Sequence, residues 1–151
     1  LKNYMERIGI RRILEEHIDF GVISPYRAQV HYLRHLLKKE PFFRPCRRLI
    51  TVHTVDGFQG QERDVIMISL VRANEQYPLT EKIAVVPVDM AFNDTLKVEE
   101  EKGQIGFLRD LRRMNVAITR ARMKLLILGE AVTLTRHPFY RELYEYIGGL
   151  R

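Results

Sequence analysis

The sequence predicts a three-layer α/β domain with a mostly parallel sheet flanked by helices. Three observations carry this. Short apolar or β-branched runs recur along the chain: "FGVIS" (20–24), "LITVHTV" (49–55), "DVIMISLV" (64–71) and "KLLILGE" (124–130). Stretches with helical spacing separate them. The run at 64–71 is also apolar on both faces, as suits a central parallel strand covered from each side.

Each element has its own local reason. Residues 2–17, "KNYMERIGIRRILEEH", contain no proline and predict an opening helix. "FGVIS" is a short buried strand that ends at Pro25. "YRAQVHYLRHLLKKE" then places Val30, Leu33 and Leu37 at helical period, and Pro41 stops it. A last helix covers about 138–147. Between Ala73 and Gln104 the pattern fails, with Pro78, Pro87 and an acidic run from Glu99 to Glu101. This predicts a surface insertion at about 74–104 within one domain over 1–151, in which "IAVVPV" adds a strand or edge hairpin.

The 151 residues suffice for one domain with a full core, and 46% hydrophobic with 29% charged residues fits a globular chain. The net charge of +6 favours an anionic partner without choosing one. Cys46 is the single cysteine, which excludes a disulfide framework or a cysteine zinc site and suits a reduced, cytoplasmic setting. No apolar run approaches the roughly 20 residues a bilayer demands, so no membrane partner is expected. The chain opens at Leu1 inside a helical pattern, as a piece of a longer protein would.

In open parallel sheets, ligands collect at loops leaving the C-terminal ends of strands. "SPYRAQ" and "TVDGFQGQE" are expected there. In "TVDGFQGQERD", Gly57 and Gly60 allow close backbone approach or positive φ, while Gln59 and Glu62 give an acceptor-rich edge. The segment reads either as a plain polar turn or as a ribose-binding edge. It is not a phosphate-binding GxxxxGK[ST] loop, a form found nowhere in the chain.

"RRMNVAITRAR" (112–122) predicts a helix with Met114, Ala117, Ile118 and Ala121 on one buried stripe. Arg113 and Arg120, seven apart, flank that stripe on one side; Asn115, Thr119 and Arg122 lie on the other. Arginines at the border of a buried face need a carboxylate or phosphate partner, so an internal salt bridge or a bound anion is favoured over a coat of charge. His31 and His35 have i, i+4 spacing but no evident third ligand, and read as helix surface; no metal site is expected. "RPCRR" (44–48) reads as a solvated loop or a phosphate contact. Tyr140, Tyr144 and Tyr146 read as packing residues.

Taken together, "VISPYRAQ", "TVDGFQGQERDVIMISLVRAN" and "GFLRDLRRMNVAITRARMKLLILGE" resemble motifs IV, V and VI of the Upf-like branch of superfamily 1 helicases. The likeness covers most of residues 18–147, in order. It implies the second, C-terminal RecA-like domain of an ATP-dependent DNA or RNA helicase. In that family ATP lies in a cleft between this domain and a first RecA-like domain, and a single strand crosses the top of both. By position, Arg120 matches the arginine finger that stabilises charge on the departing γ-phosphate. Glu62 matches the ribose-binding acid, Gly60 lies against the nucleotide, and Gln59 links nucleotide site to nucleic-acid track. Arg113 supports the nucleotide site or binds a nearby carboxylate. Thr54, Val55 and Asp56 match the backbone-binding part of motif V, with Tyr26 and Arg27 of motif IV on the same face.

The resemblance also implies what this chain leaves to the first domain: the phosphate-binding lysine and the ligands of Mg²⁺. The isolated fragment is therefore expected to hydrolyse no ATP. The stretch of about 30 residues between "VRAN" and "GFL" is longer than the family pattern. A nucleic-acid-binding or regulatory RecA-like domain without motor activity is the alternative. The nucleic-acid-binding form would keep the same basic surface in a parent chain with degraded Walker motifs, and the regulatory form would commit its arginines to internal salt bridges.

Overall fold

In a computed structural model, residues 1–70, 81–86 and 111–149 are described, the stretch 81–86 by its backbone. Helices α1 (Lys2–Ile8) and α2 (Ile10–Glu15) lead into β1 (Phe20–Ser24), α3 (Arg27–Lys39) and β2 (Ile50–Thr54). Then come β3 (Arg63–Ser69), β4 (Glu81–Val86), α4 (Leu111–Ile118), β5 (Ala121–Glu130), α5 (Ala131–Leu134) and α6 (Pro138–Gly149). Single 3-10 turns lie at Pro41–Phe43, Arg47–Leu49 and Asp56–Phe58.

The five strands run in the order β2-β1-β3-β5-β4. The first four are mutually parallel and β4 is antiparallel to β5 at the edge. The mostly parallel α/β architecture expected from the sequence is thus present. Two apolar layers cover the sheet. On one face Met114, Ala117 and Ile118 of α4 and Phe139, Tyr140 and Leu143 of α6 pack with Phe58, Ile66 and Ile68. On the other face Met5, Ile13 and Val30 of the first three helices meet Phe20, Val22, Val52 and Met67. "DVIMIS" feeds both layers because alternate side chains of a central strand point to opposite faces.

Two expectations need correction. The opening helix is two helices, because Gly9 adopts φ 91, a conformation that interrupts helical bonding and that glycine tolerates without strain. The helix at 112–122 ends at Ile118: Thr119 Oγ donates to the carbonyls of Asn115 and Val116, and Ala121 enters β5 opposite Arg63. Ala121 is buried as the stripe required, but as a strand residue. The edge strand expected from "IAVVPV" within the insertion is present, since β4 pairs with β5 from Glu81↔Glu130 to Val86↔Leu125. The remainder of 74–104 lies outside the described residues.

Candidate functional site

The segment "VDGFQGQE" joins two strands that are not neighbours. β2 ends at Thr54 and β3 begins at Arg63, both run the same way, and β1 lies between them. Residues 55–62 must therefore travel back along the sheet, about 16 Å lengthwise and about 10 Å sideways. The turn Asp56–Phe58 starts this return, and Phe58, fully buried, lies across β1. Gly21 makes room for it: a Cβ there would stand 2.8 Å from the Phe58 ring and 2.5 Å from Ile66 Cδ1. Gly57 is needed for the His53 imidazole, 1.6 Å from where its Cβ would be, whereas Gly60 is needed for its own φ of 75.

The expected site residues consequently divide between the two ends of the sheet, and not all of them gather at the C-terminal ends of the strands. At the C-terminal ends stand Tyr26, Arg27, Thr54, Val55 and Asp56. Arg27 is exposed at the start of α3, and Thr54 Oγ accepts the N–H of Gly57 at 3.4 Å. Val55 is core, so only its backbone is available to a ligand. The Tyr26 ring is partly exposed but its hydroxyl is buried. Burial and the nearby Tyr26 hold the Tyr140 phenol above its ordinary pKa. Of "SPYRAQ", two polar residues serve the fold. The Ser24 hydroxyl bonds to Gln29 Oε1, and Gln29 Nε2 donates to Ser69 Oγ at 2.9 Å, which joins the ends of β1 and β3.

Arg113 belongs to this end. Its Nε lies 3.3 Å from Asp56 Oδ1, the carboxylate partner that the sequence left as one of two options. Arg113 and Arg120 therefore do not share a helix flank: Arg113 sits in the first turn of α4 and Arg120 beyond its last.

At the N-terminal ends of β3 and β5 stand Gln61, Glu62 and Arg120. The Arg63 N–H donates to the Arg120 carbonyl at 3.0 Å, so Glu62 and Arg120 precede paired strand starts. The Arg120 guanidinium donates to the Val116 carbonyl and to Thr119 Oγ, each at 3.1 Å. Among the described residues no carboxylate pairs with Arg120, and no side chain pairs with the exposed Glu62 carboxylate.

The neighbouring charges are all committed. Asp19 Oδ1 accepts the Asp64 N–H at 2.6 Å, and Asp64 Oδ2 accepts the Asp19 N–H at 3.1 Å. Arg122 bridges both carboxylates, at 3.1 Å from Asp19 and 3.0 Å from Asp64, and they raise its pKa. Arg63 Nε lies 3.9 Å from Asp19 Oδ2. Nothing local in the sequence signals this network, and spacing alone puts Arg122 on a helix flank. Its members begin three different strands and meet only through sheet register. Among the described residues no group of three or more His, Cys, Asp or Glu could hold a metal, and no helix is long and apolar enough to cross a membrane.

With this geometry in place, likeness to known proteins decides the family. A family model described as "AAA domain" matches residues 3–132. The chain is 37% identical over 132 residues to the probable helicase MAGATAMA 3 of Arabidopsis thaliana, covering 87% of this chain and 13% of that protein. It belongs to the Upf-like superfamily 1 helicases. The helicase domain is also 36% identical over 136 residues to the DNA polymerase alpha-associated DNA helicase A of Saccharomyces cerevisiae, covering 90% of this chain and 15% of that protein. The human RNA helicase Mov10l1 is 38% identical over 128 residues, 85% of this chain and 8% of that one. The chain thus spans a small part of these relatives, in the C-terminal helicase region that carries motifs IV to VI.

Proposed function

We propose that these residues form the second RecA-like motor domain of an ATP-dependent helicase or translocase, which completes an ATP site together with a first RecA-like domain of a longer, cytoplasmic protein. One observation carries the reading. Glu62 and Arg120, at adjacent strand starts, keep their charges uncommitted among the described residues, while Arg63 and Arg122 beside them are held by Asp19 and Asp64. A nucleoside triphosphate offers the complementary groups: ribose hydroxyls for a carboxylate and a polyphosphate for a guanidinium.

In this reading Glu62 accepts hydrogen bonds from the ribose, and Gly60 lets the backbone lie against the nucleotide. Arg120 neutralises charge that develops as the γ-phosphoryl group departs, a contribution of about 10³-fold or more in turnover. Its present bonds to Val116 and Thr119 are to neutral acceptors, which a phosphate readily replaces. The phosphate-binding lysine and the Mg²⁺ ligands come from the first domain, so the isolated chain is inactive.

The opposite end of the sheet serves the nucleic acid. Arg27, Thr54, Asp56, the Tyr26 ring and the Val55 backbone line a track for single-stranded DNA or RNA. The return segment 55–62, with Gln59 midway, ties that track to the nucleotide end through one short length of chain. Arg113 acts by holding Asp56. Contacts of this kind grip phosphates and sugars, so binding is salt-dependent and weakly selective for sequence.

The test is ATP hydrolysis by the intact protein with single-stranded DNA and with RNA in separate assays. Hydrolysis stimulated by at least one strand is expected, and the better one identifies the substrate. An intact protein that hydrolyses no ATP with either would overturn the motor reading in favour of a non-catalytic domain.

A further inference from the structure

The positive charge of this chain is concentrated in one stretch. Residues 27–48 hold seven of the 25 lysines and arginines and one of the 19 acidic residues, which leaves eighteen of each elsewhere. The whole excess of +6 thus resides in α3 and the two 3-10 turns that follow it.

The fold lays most of these residues along one flank. On α3, Arg27, His31, Arg34, His35 and Lys38 recur at helical spacing and form a stripe beside the buried one of Val30, Leu33 and Leu37. Arg34 fixes where the stripe lies. Its Nε and Nη2 donate to the Val52 carbonyl at 3.0 and 2.7 Å, so the stripe runs along β2, the terminal strand of the sheet. Arg47 Nη2 donates to the Lys38 carbonyl at 3.0 Å, which joins the turn carrying Arg47 and Arg48 to the end of the stripe. The one carboxylate in the stretch, Glu40, is taken by Lys2 at 3.2 Å. Among the described residues no carboxylate pairs with any of the seven cations.

A solvated helix face ordinarily alternates acids with bases and gains from their pairing. This face carries one sign of charge, and its length matches a polyanion. From Arg27 to Lys38 the helix rises about 17 Å, long enough to face several consecutive phosphates of one strand. Its first residue, Arg27, stands at the end of the sheet assigned above to the nucleic-acid track. We infer that this flank is a second nucleic-acid contact, which holds the phosphate backbone after it leaves the track and leads it down the outer edge of the domain. The inference rests on the helicase reading and extends its footprint to residues outside the three motifs.

The experiment measures binding of the intact protein to two fluorescent single strands over a range of salt. One is just long enough to fill the track, about 8 nucleotides, and the other about four times longer. The variant is Lys38→Gln/Lys39→Gln/Arg44→Gln/Arg48→Gln, all four exposed residues. On the long strand, the slope of log K against log salt is expected to fall in magnitude by about 0.7 for each phosphate no longer neutralised, so by about 2 to 3 in total. Affinity for the short strand, and the ATP hydrolysis it stimulates, stay as in the wild type. The charge-keeping variant Lys38→Arg/Lys39→Arg keeps the long-strand slope. An unchanged long-strand slope in the quadruple variant would overturn the inference while the helicase reading stands. So would loss of wild-type binding to phosphatidylserine vesicles with strand binding intact, which would assign the flank to a membrane surface. A wild-type protein that binds neither strand and hydrolyses no ATP removes the helicase reading, and this inference with it.

Discussion

The Arg63 N–H donates to the carbonyl oxygen of Arg120 across 3.0 Å, and this bond sets Glu62 and Arg120 side by side at the starts of β3 and β5. Fifty-eight residues apart in the chain, the two are neighbours because both belong to the residue pair that precedes strand pairing. A carboxylate and a guanidinium that form no ion pair among the described residues, at adjacent strand starts, form the arrangement on which the ATP-site proposal rests.

Glu62→Ala in the intact protein is expected to raise KM for ATP by about 10-fold or more, the loss of one hydrogen-bonded charge on a ligand hydroxyl, with a smaller effect on kcat. Steady-state kinetics at saturating nucleic acid make the measurement. An unchanged KM would remove Glu62 from the site.

The return segment is anchored by one aromatic ring in one notch. Phe58→Ala is expected to cost about 3–5 kcal/mol, since it empties a fully buried position in the core of one sheet face. Gly21→Ala pushes a methyl into the same ring and into Ile66, and is expected to cost about 1–3 kcal/mol by overpacking. Denaturant unfolding of each variant measures both. A neutral Gly21→Ala would show that the segment does not lie across β1.

Gly60 presents a different case, because among the described residues no atom lies within 4 Å of where its Cβ would be and its φ of 75 is what resists a side chain. Gly60→Ala is expected to cost about 1–2 kcal/mol and Gly60→Asn less, since asparagine tolerates the left-handed region better. Unfolding free energies that rank the two the other way would contradict this account of the turn.

The sequence was a good guide wherever a residue's role depends on near neighbours. β1 was legible from "FGVIS" before Pro25, and α3 from its apolar period before Pro41. The helix after Leu111 ends sooner than the sequence predicts because Ala121 continues the helical stripe of Met114 and Ala117 by spacing alone. Its pairing opposite Arg63 places it in a strand instead, a competition that no local window contains. "TVDGFQGQE" reads locally as a loop at one end of the sheet because strand order is not written in the chain, and β1 lying between β2 and β3 turns that loop into a full return along the sheet. The bridge from Arg122 to Asp19 spans 103 residues and was invisible for the same reason.

Two arginines two residues apart give the sharpest test of the ATP-site proposal. Among the described residues Arg120 has only neutral hydrogen-bond acceptors, whereas Arg122 holds Asp19 and Asp64 together. In the intact protein, strand-stimulated ATP turnover and melting temperature should be measured for Arg120→Ala and Arg122→Ala. Arg120→Ala is expected to lose turnover by at least about 100-fold with an unchanged melting temperature, and Arg122→Ala to melt earlier while keeping most of its turnover below its transition. If Arg120→Ala instead melts early and turns over ATP normally, Arg120 is a structural residue and the proposed ATP site is wrong.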